Sequence, residues 1–160
     1  MVVRLSAATC GVVILFVYSS VATARSELLA VRSYAAATFV GTATMYNPYR
    51  PGYREGGIET ASGEPYDPSA WAAAIQTDLR ERFGGVRLGK RVGYALIEAV
   101  NRKVIVRIND VGPLKPGRII DFNERTMSYF DPTLQVGLIS NVKVTPLQGD
   151  DWIPGPVAER

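Results

Sequence analysis

The side chains best placed for chemistry are the carboxyl groups of Asp110 and Asp121, which flank a segment rich in turn-forming residues. A carboxyl group that donates or accepts a proton is a common general acid or base. Asp110 follows a run of alternating apolar residues and begins the stretch D-V-G-P, whose residue types favour turns. We therefore expect Asp110 at the point where a strand ends and a loop begins. Spacing alone leaves two interpretations open: both aspartates take part in a reaction, or both only cap turns.

The residue counts exclude several kinds of site. The chain has no histidine, which excludes Ser-His-Asp and Cys-His catalysis and any histidine-ligated metal. The acidic residues are dispersed and form no calcium-type loop, so we expect no metal and no cofactor. The net charge is +3, and the sequence pI is about 9.1, which suits contact with an anionic polymer or surface. Lysine and arginine are scattered and match no nucleic-acid-binding motif.

A long segment rich in Pro, Gly, Tyr and Arg follows the first expected strand, at 47–59. Loops of this length in small domains are usually functional or mobile. We expect Tyr46, Tyr49 and Tyr53 to stack on sugar rings and Arg54 to reach polar or anionic groups. The alternative is that the tyrosines pack this loop against the rest of the fold.

The elements that position these residues are mostly short strands. Alternating apolar residues and β-branched side chains predict strands at 40–46, 94–100, 104–108, 117–121 and 138–147. The stretch 77–90 is expected to be a loop that leads into a strand. Many short strands separated by turns, with two small helical pieces, predict a mainly β fold in which a small barrel closes on itself.

Two short helices are expected beside the strands. Pro68 suits the first position of a helix or turn at 69–75 that Asp67 caps, and Trp71 packs inward. Asn123 is a good N-cap for a second helix at 124–130, and an acidic residue in the first turn favours it.

The N-terminus has the layout of a secretory signal peptide. Arg4 precedes an apolar run at 5–18, and the small residues at 22–24 predict cleavage after Ala24. An uncleaved anchor is the alternative, and small residues at 35–37 offer a weaker cleavage site. The only cysteine, Cys10, lies in the discarded part. A cysteine-free exported domain of this size fits a bacterial periplasm.

The length of 160 residues fits one domain. We divide the chain into a signal peptide at 1–24, a linker at 25–38, a barrel domain at 39–147 and a polar C-terminal tail at 148–160.

Five motifs in a fixed order resemble the RlpA-like (rare lipoprotein A) double-psi β-barrel family. They cover about residues 40–147 and read G-T-A-T-M-Y at 41–46, T-A-S-G-E at 60–64, a small-residue segment with A-A-I at 73–75, V-I-V-R-I-N-D-V-G-P at 104–113 and G-R-I-I-D at 117–121. The resemblance implies a six-stranded double-psi barrel related to expansin and barwin domains. It also implies lytic transglycosylation of peptidoglycan glycan strands at the division septum, with cell-division or wall-synthesis proteins as partners.

The resemblance assigns roles residue by residue. The family's catalytic aspartate falls on Asp110, and the glutamate of its T-A-N-G-E motif falls on Glu64. We expect Glu64 to take part in catalysis beside Asp110, by orienting the substrate or by tuning the Asp110 carboxyl group. Ser62 replaces the asparagine of that motif, and Val111 replaces an arginine after the aspartate. Counted without gaps from Thr60, the family's active-site histidine falls on Ile75.

The resemblance also places the residues around these groups. We expect substrate contacts from the three tyrosines and Arg54, together with Thr60, Ser62 and Asn109. We expect structural roles for Gly112, Pro113, Arg118 and Asp121.

Two further interpretations remain open besides a lytic transglycosylase with Asp110 as its single acid–base group. The chain is alternatively a non-catalytic glycan-binding or expansin-like wall module that has lost the family histidine. A small structural or partner-binding barrel without glycan contact is the third interpretation.

Overall fold

The computed structural model describes residues 37–49, 58–84, 86 and 92–158. These residues form seven strands, which are β1 (Phe39–Met45), β2 (Ala72–Gln76), β3 (Gly93–Ala99), β4 (Arg102–Gly112), β5 (Arg118–Phe122), β6 (Leu138–Leu147) and β7 (Gly155–Pro156). They also form a 3₁₀ helix, Thr77–Phe83, and an α-helix, α1, Glu124–Phe130. Within the described residues, neither helix has the length and apolar character needed to cross a membrane.

Six of the strands close into a barrel. Their order is β2-β5-β1-β6-β3-β4, and a further pairing of β2 with β4 joins the two ends. The pairs β1–β5 and β2–β4 are parallel, and the other barrel pairs are antiparallel. The strand β7 adds a short antiparallel pairing to β4. The predicted mainly β fold with a closed six-stranded barrel is therefore confirmed.

Alternation along the strands places apolar side chains inside the barrel. In β3 every second residue, from Gly93 to Ala99, is buried, as expected for a strand with one face in a core. The fully buried residues of the core come from all six barrel strands and from α1 and include Ala43, Ala73, Ile75, Ala95, Ile97, Val104, Val106, Ile108, Ile120, Phe122, Met127, Val142 and Val144.

Several elements lie where the sequence predicts them. The strand β6 has the predicted bounds, and β1 and β3 differ from the predictions by one residue at each end. The helix α1 also has the predicted bounds, and the Asn123 side chain accepts a hydrogen bond of 3.1 Å from the Thr126 N–H as its N-cap. Local signals were sufficient for these elements.

The predicted end of the central strand at 109–113 is wrong. The strand β4 continues through Asp110 to Gly112, because the parallel strand β2 pairs with this segment and satisfies its backbone. In that pairing Ile75 lies opposite Val111 and Gln76 opposite Gly112. Pairing between distant segments overrides the local turn preference here.

The helix or turn predicted at 69–75 is present only as a turn at its start, and the rest of the segment is a strand. Residues Ala72–Gln76 form β2, which pairs with β4 on one side and β5 on the other. Asp67 caps a turn instead, since its Oδ1 accepts hydrogen bonds from the N–H and hydroxyl of Ser69. These bonds lower the pKa of Asp67. Trp71 packs against the core as predicted, with its ring 5.6 Å from that of Tyr129.

Two other segments differ from expectation. The predicted loop at 77–90 begins with the 3₁₀ helix. The predicted polar tail at 148–160 contains Trp152, which is buried, and β7, which pairs with β4. The predicted signal peptide and its cleavage after Ala24 lie outside the described residues, as does the linker except for residues 37 and 38.

Candidate functional site

The site is built around a tight turn in the loop between β1 and β2. An isolated β-bridge between Glu59 and Pro65 closes this loop at its base. Within it the N–H of Gly63 donates to the carbonyl of Thr60 at 2.8 Å, and Gly63 has a φ of 83°. A side chain at position 63 would be strained at that φ, which explains the glycine of the T-A-S-G-E motif.

This turn is fixed against β4 by the two residues that follow Thr60. The N–H of Ala61 donates to the Asp110 carboxyl at 2.8 Å, and the N–H of Ser62 donates to the backbone carbonyl of Asn109 at 2.9 Å. The two motifs that the sequence separates by almost fifty residues are thus in direct contact.

A bulge in β4 presents two consecutive polar side chains to this loop. Opposite β2, Ala73 pairs with Ile108 and Ala74 pairs with Asp110, so Asn109 is an extra residue in β4. Bulges redirect side chains and often occur beside active sites. The side chains of Asn109 and Asp110 accordingly both contact the loop, while Ile108 remains in the core.

The Asp110 carboxyl accepts three hydrogen bonds. Its Oδ1 accepts from the backbone N–H groups of Ala61 and Val111, at 2.8 and 2.9 Å. Its Oδ2 accepts from the hydroxyl of Tyr46 at 3.1 Å. Backbone N–H groups only donate, whereas a phenol hydroxyl can donate or accept. Of the two oxygens, Oδ2 is therefore the one whose neighbours allow it to hold or release a proton.

Tyr46 is fixed by its own packing. Its ring is buried and lies edge-on to that of Tyr66 at 5.0 Å, and the Tyr66 hydroxyl donates to the Tyr46 carbonyl at 2.9 Å. Burial, with the charges of Asp110 and Asp121 nearby, raises the pKa of Tyr46 far above its ordinary value. The phenol is therefore protonated at any working pH. Its ring packs inside the protein, which agrees with the alternative that the tyrosines pack against the rest of the fold rather than stack on sugar rings.

Asp121 is in register with Asp110 across the strand β2 that lies between them. Ala74 of β2 is in register with Asp110 on one side and with Asp121 of β5 on the other. Directly paired residues point to the same face of a sheet, and neighbouring strands are about 4.8 Å apart, so the two aspartate backbones lie about 10 Å apart. The small side chain of Ala74 stands between them, and it packs with Tyr46 and Tyr66.

Glu64 is engaged with a residue that the sequence analysis missed. Its Oε1 forms an ion pair of 2.7 Å with Arg107, and its Oε2 accepts a bond of 3.5 Å from the Asn109 amide. Both charged side chains are partly exposed, so this pair is open to solvent on one side. Arg107 lies two residues before Asn109 in β4, and strand alternation places it on the same face. The two-residue repeat of a strand was the sequence signal that could have identified Arg107.

A cavity of about 220 Å³ lies beside this ion pair. Its lining combines the aromatic pair with polar residues from the loop, β4 and the cap of α1: Tyr46, Thr60, Glu64, Pro65, Tyr66, Asp67, Ala70, Ala72, Arg107, Asn109 and Asn123. Two of the predicted contact residues, Thr60 and Ser62, are buried, and their hydroxyls bond to each other at 3.0 Å.

The remaining aromatic and basic residues of the prediction divide into two groups. Tyr49 is exposed, its hydroxyl donates to the Tyr66 carbonyl at 3.3 Å, and its ring is 5.8 Å from the Tyr66 ring. It borders the site and offers an aromatic face. Tyr53 and Arg54 lie outside the described residues.

The residues predicted to be structural lie at the connection of β4 to β5. Gly112 ends β4, and Pro113 is exposed directly after it. The N–H of Arg118 donates to the carbonyl of Lys115 at 3.0 Å and closes the turn that begins β5. Asp121 differs from this group because its side chain is close enough to act on the pKa of Tyr46.

The position matched to the family histidine points away from the site. Ile75 is fully buried in the barrel core, whereas its neighbour Ala74 packs with the two tyrosines. An imidazole at position 75 would therefore lie in the core. Among the described residues, no group of three or more His, Cys, Asp and Glu side chains could hold a metal ion.

Comparisons with known proteins agree with this architecture. A family model described as lytic transglycolase matches residues 38–144. Among solved structures, the chain is similar to the Streptomyces papain inhibitor (SPI), with a TM-score of 0.52 and 18% sequence identity over 70% of this chain and 96% of that protein. At that identity the likeness concerns the fold alone. A comparison with curated proteins finds no match.

Proposed function

The chain belongs to the lytic transglycosylase family of RlpA-like double-psi β-barrels, and from that premise we propose that it cleaves peptidoglycan glycan strands with Asp110 as its acid–base group. The observation that carries the proposal is the environment of the Asp110 carboxyl. Two backbone N–H groups fix Oδ1, and Oδ2 faces the Tyr46 hydroxyl. One oxygen is thereby anchored, and the other is left to exchange a proton.

The reaction proposed for this carboxyl consumes no water. The proton on Oδ2 of Asp110 passes to the glycosidic oxygen as the bond from the anomeric carbon to that oxygen breaks. The 6-hydroxyl of the same muramic acid unit attacks the anomeric carbon and returns its proton to Oδ2. The products are a free 4-hydroxyl on one fragment and a 1,6-anhydromuramyl end on the other, and Asp110 is restored.

One carboxyl group suffices for this sequence of steps. A hydrolytic glycosidase needs a second carboxyl group to activate water or to form a covalent intermediate. Here the substrate supplies its own nucleophile. The bonds of Glu64 to Arg107 and Asn109 favour a part in substrate orientation rather than in proton transfer.

The test is a digest of purified sacculi, with and without removal of the stem peptides. Wild-type protein is compared with Asp110→Asn, which keeps the size of the side chain, and with Asp150→Asn, an exposed aspartate, as a matched control. Mass spectrometry should find 1,6-anhydromuramyl products from the wild type and the control but not from Asp110→Asn. Equal product formation by Asp110→Asn would refute the role of Asp110.

A second candidate function is a glycan-binding wall module without catalysis. The absence of histidine from the chain favours it, because the family places one in its active site. It predicts that wild-type protein sediments with sacculi and releases no soluble fragment. A third candidate, a barrel without glycan contact, predicts no sedimentation with sacculi.

We also propose that the protein acts in the periplasm after cleavage behind Ala24. The mass of the exported protein's N-terminal peptide tests this, since the mature chain should then begin with Arg25. An intact Met1 on exported protein would contradict cleavage.

A further inference from the structure

We propose that the hairpin tip between β3 and β4, formed by Val100 and Asn101, binds a membrane surface that contains anionic phospholipid. The proposal goes beyond the proposed reaction and does not depend on it. Arg102 begins β4, and Asp110 lies eight residues further along that strand, which corresponds to about 27 Å. A lipid surface at the hairpin tip therefore leaves the Asp110 end of the barrel open to a glycan.

The backbone of the hairpin tip is strained at Val100. Both tip residues have a positive φ, 48° at Val100 and 56° at Asn101, as in the two-residue turns that join antiparallel strands. Glycine, asparagine and aspartate favour such positions, whereas a β-branched residue there is an outlier. Val100 adds little packing in return, because it is 64% exposed. An apolar residue that strains its turn and lies in solvent indicates a contact outside the fold.

One side of the hairpin tip is cationic. The surface depression on the side of β6 has four charged residues in its lining, Glu98, Arg102, Lys103 and Lys143. The strand register places Glu98 between Lys103 and Lys143. Glu98 forms an ion pair of 2.7 Å with Lys103, and Lys143 has no ion pair with any described residue. Three cations and one carboxylate leave two positive charges in excess in this depression.

The other side of the hairpin tip is mainly apolar. In the sheet order β6 lies beside β3 and β7 lies beside β4, so a second depression flanks the hairpin on the side of β7. Apart from the tip and Arg102, its lining consists of Tyr129, Pro156, Val157 and Ala158. The Arg102 guanidinium lies 5.3 Å from the centre of the Tyr129 ring and donates to the Tyr129 carbonyl, which holds this cation beside the apolar surface.

Apolar and cationic groups side by side match the boundary between lipid headgroups and acyl chains. At such a surface apolar side chains enter the acyl region, while lysine and arginine stay at the headgroups and attract anionic lipid. Tyrosine is also enriched at this boundary. A turn that stands between two depressions can enter a yielding lipid surface, whereas a folded protein partner would have to supply a pocket shaped for it. A soluble acidic chain would contact the cations but make no use of Val100.

The test is sedimentation of the protein, purified with its natural N-terminus, with lipid vesicles at low ionic strength. One set of vesicles is phosphatidylcholine alone, and in the other about a third of the lipid is phosphatidylglycerol. We expect the wild type to bind the anionic vesicles at least about tenfold more tightly, with an affinity that falls as salt is added. All variants share one N-terminus, so differences among them report the hairpin tip.

Val100→Asn separates membrane binding from folding. Asparagine suits a positive φ, so this variant should unfold at a higher denaturant concentration than the wild type. It lacks the apolar side chain, so its affinity for anionic vesicles should fall about tenfold. Val136→Asn is the matched control, because Val136 is 70% exposed and its φ is not positive. This control should show neither the gain in stability nor the loss of affinity.

Lys143→Gln tests the cationic side of the hairpin tip. Removal of this charge should lower the affinity for anionic vesicles about fivefold and leave the binding of phosphatidylcholine vesicles unchanged. Lys115→Gln is the matched control, since Lys115 is an exposed lysine in the connection of β4 to β5. Its affinity should equal that of the wild type.

Val100→Trp gives a reading from the hairpin tip itself. Its tryptophan emission should shift to shorter wavelength when anionic vesicles are added, because the new side chain enters a less polar region. The wild type, whose tryptophans are Trp71 and Trp152, should show no such shift.

Several outcomes would overturn the inference. They are no binding of the wild type to anionic vesicles, an equal loss of affinity in Val136→Asn, or an unshifted emission of Val100→Trp on anionic vesicles. An unchanged affinity in Val100→Asn would also overturn it, since charge alone would then be recognised, as by an acidic protein segment. None of these measurements requires turnover, so their results are independent of whether Asp110 cleaves a glycan.

Discussion

The hydrogen bond from Tyr46 to Asp110 leads to the most specific prediction of this structure. Replacing Tyr46 with phenylalanine removes one hydroxyl group and leaves the buried ring against Tyr66 in place. The lost bond, 3.1 Å long, runs from a neutral hydroxyl to Oδ2 of a carboxyl group. Tyr46 acts through Asp110, so it is a positioning residue in the proposed reaction.

The size of the effect follows from that bond. Asp110 becomes charged as it gives up its proton, and a hydrogen bond to a charged group contributes about 1.5–3 kcal/mol, which corresponds to roughly 10- to 150-fold in rate. We expect Tyr46→Phe to lower kcat on isolated glycan strands by this factor with little change in KM, because the hydroxyl touches the proton-transfer group. Initial rates of 1,6-anhydromuramyl product formation at several strand concentrations separate the two constants.

The control for this variant is Tyr129→Phe. The Tyr129 hydroxyl donates to the Lys103 carbonyl at 3.4 Å on an exposed part of α1, so its loss should leave both constants unchanged. The reasoning would be refuted if Tyr46→Phe kept a kcat within twofold of the wild type, or if its only change were in KM.

Three further predictions concern stability. Because burial raises the pKa of Tyr46 above its ordinary 10.0, the unfolded chain loses this proton first. The contribution of the protonated phenol to the free energy of unfolding is therefore complete below pH 10. Above pH 10 the free energy of unfolding of the wild type should fall by about 1.4 kcal/mol per pH unit more than that of Tyr46→Phe in denaturant titrations. Equal falls in the two proteins would contradict this. Ile75→His should cost about 2–5 kcal/mol against about 0.5–1.5 for Ile75→Val, since position 75 is in the core, and equal melting temperatures would argue against that placement. A methyl group added to Gly93 would lie 2.2 Å from the Phe83 carbonyl oxygen, so Gly93→Ala should lower stability by roughly 1–3 kcal/mol. A methyl group added to Gly112 would meet only Leu114 Cδ2 at 3.8 Å, an ordinary contact, so Gly112→Ala should unfold at nearly the wild-type denaturant concentration.

The sequence was sufficient where the signals are local. The bounds of β6 and of α1 with its Asn123 cap follow from alternation and from capping chemistry. The segment that became β2 was expected to be a helix or turn, because Asp67 and Pro68 before it suit the start of one, and the strands that pair with it are distant in the chain. The same pairing extends β4 through Asp110. Pairing between strands that are distant in the chain has no signal in the local sequence.

The site was predictable only in part for the same reason. The motif residues Asp110 and Glu64 could be identified one by one, but their partners depend on how separate segments meet. The bulge at Asn109 and the ion pair of Glu64 with Arg107 arise from that meeting. Sequence spacing also placed the family histidine on Ile75, although the residue that faces the tyrosine pair is Ala74.

The most direct measurement of the central claim is a sacculus digest in water labelled with oxygen-18. A lytic transglycosylase uses the 6-hydroxyl of its substrate, so the account predicts 1,6-anhydromuramyl products that carry no label and that disappear in Asp110→Asn. Reducing-end products with one labelled oxygen each would contradict it. They would mean hydrolysis and would make Asp121, about 10 Å from Asp110 across Ala74, the second carboxyl group to test.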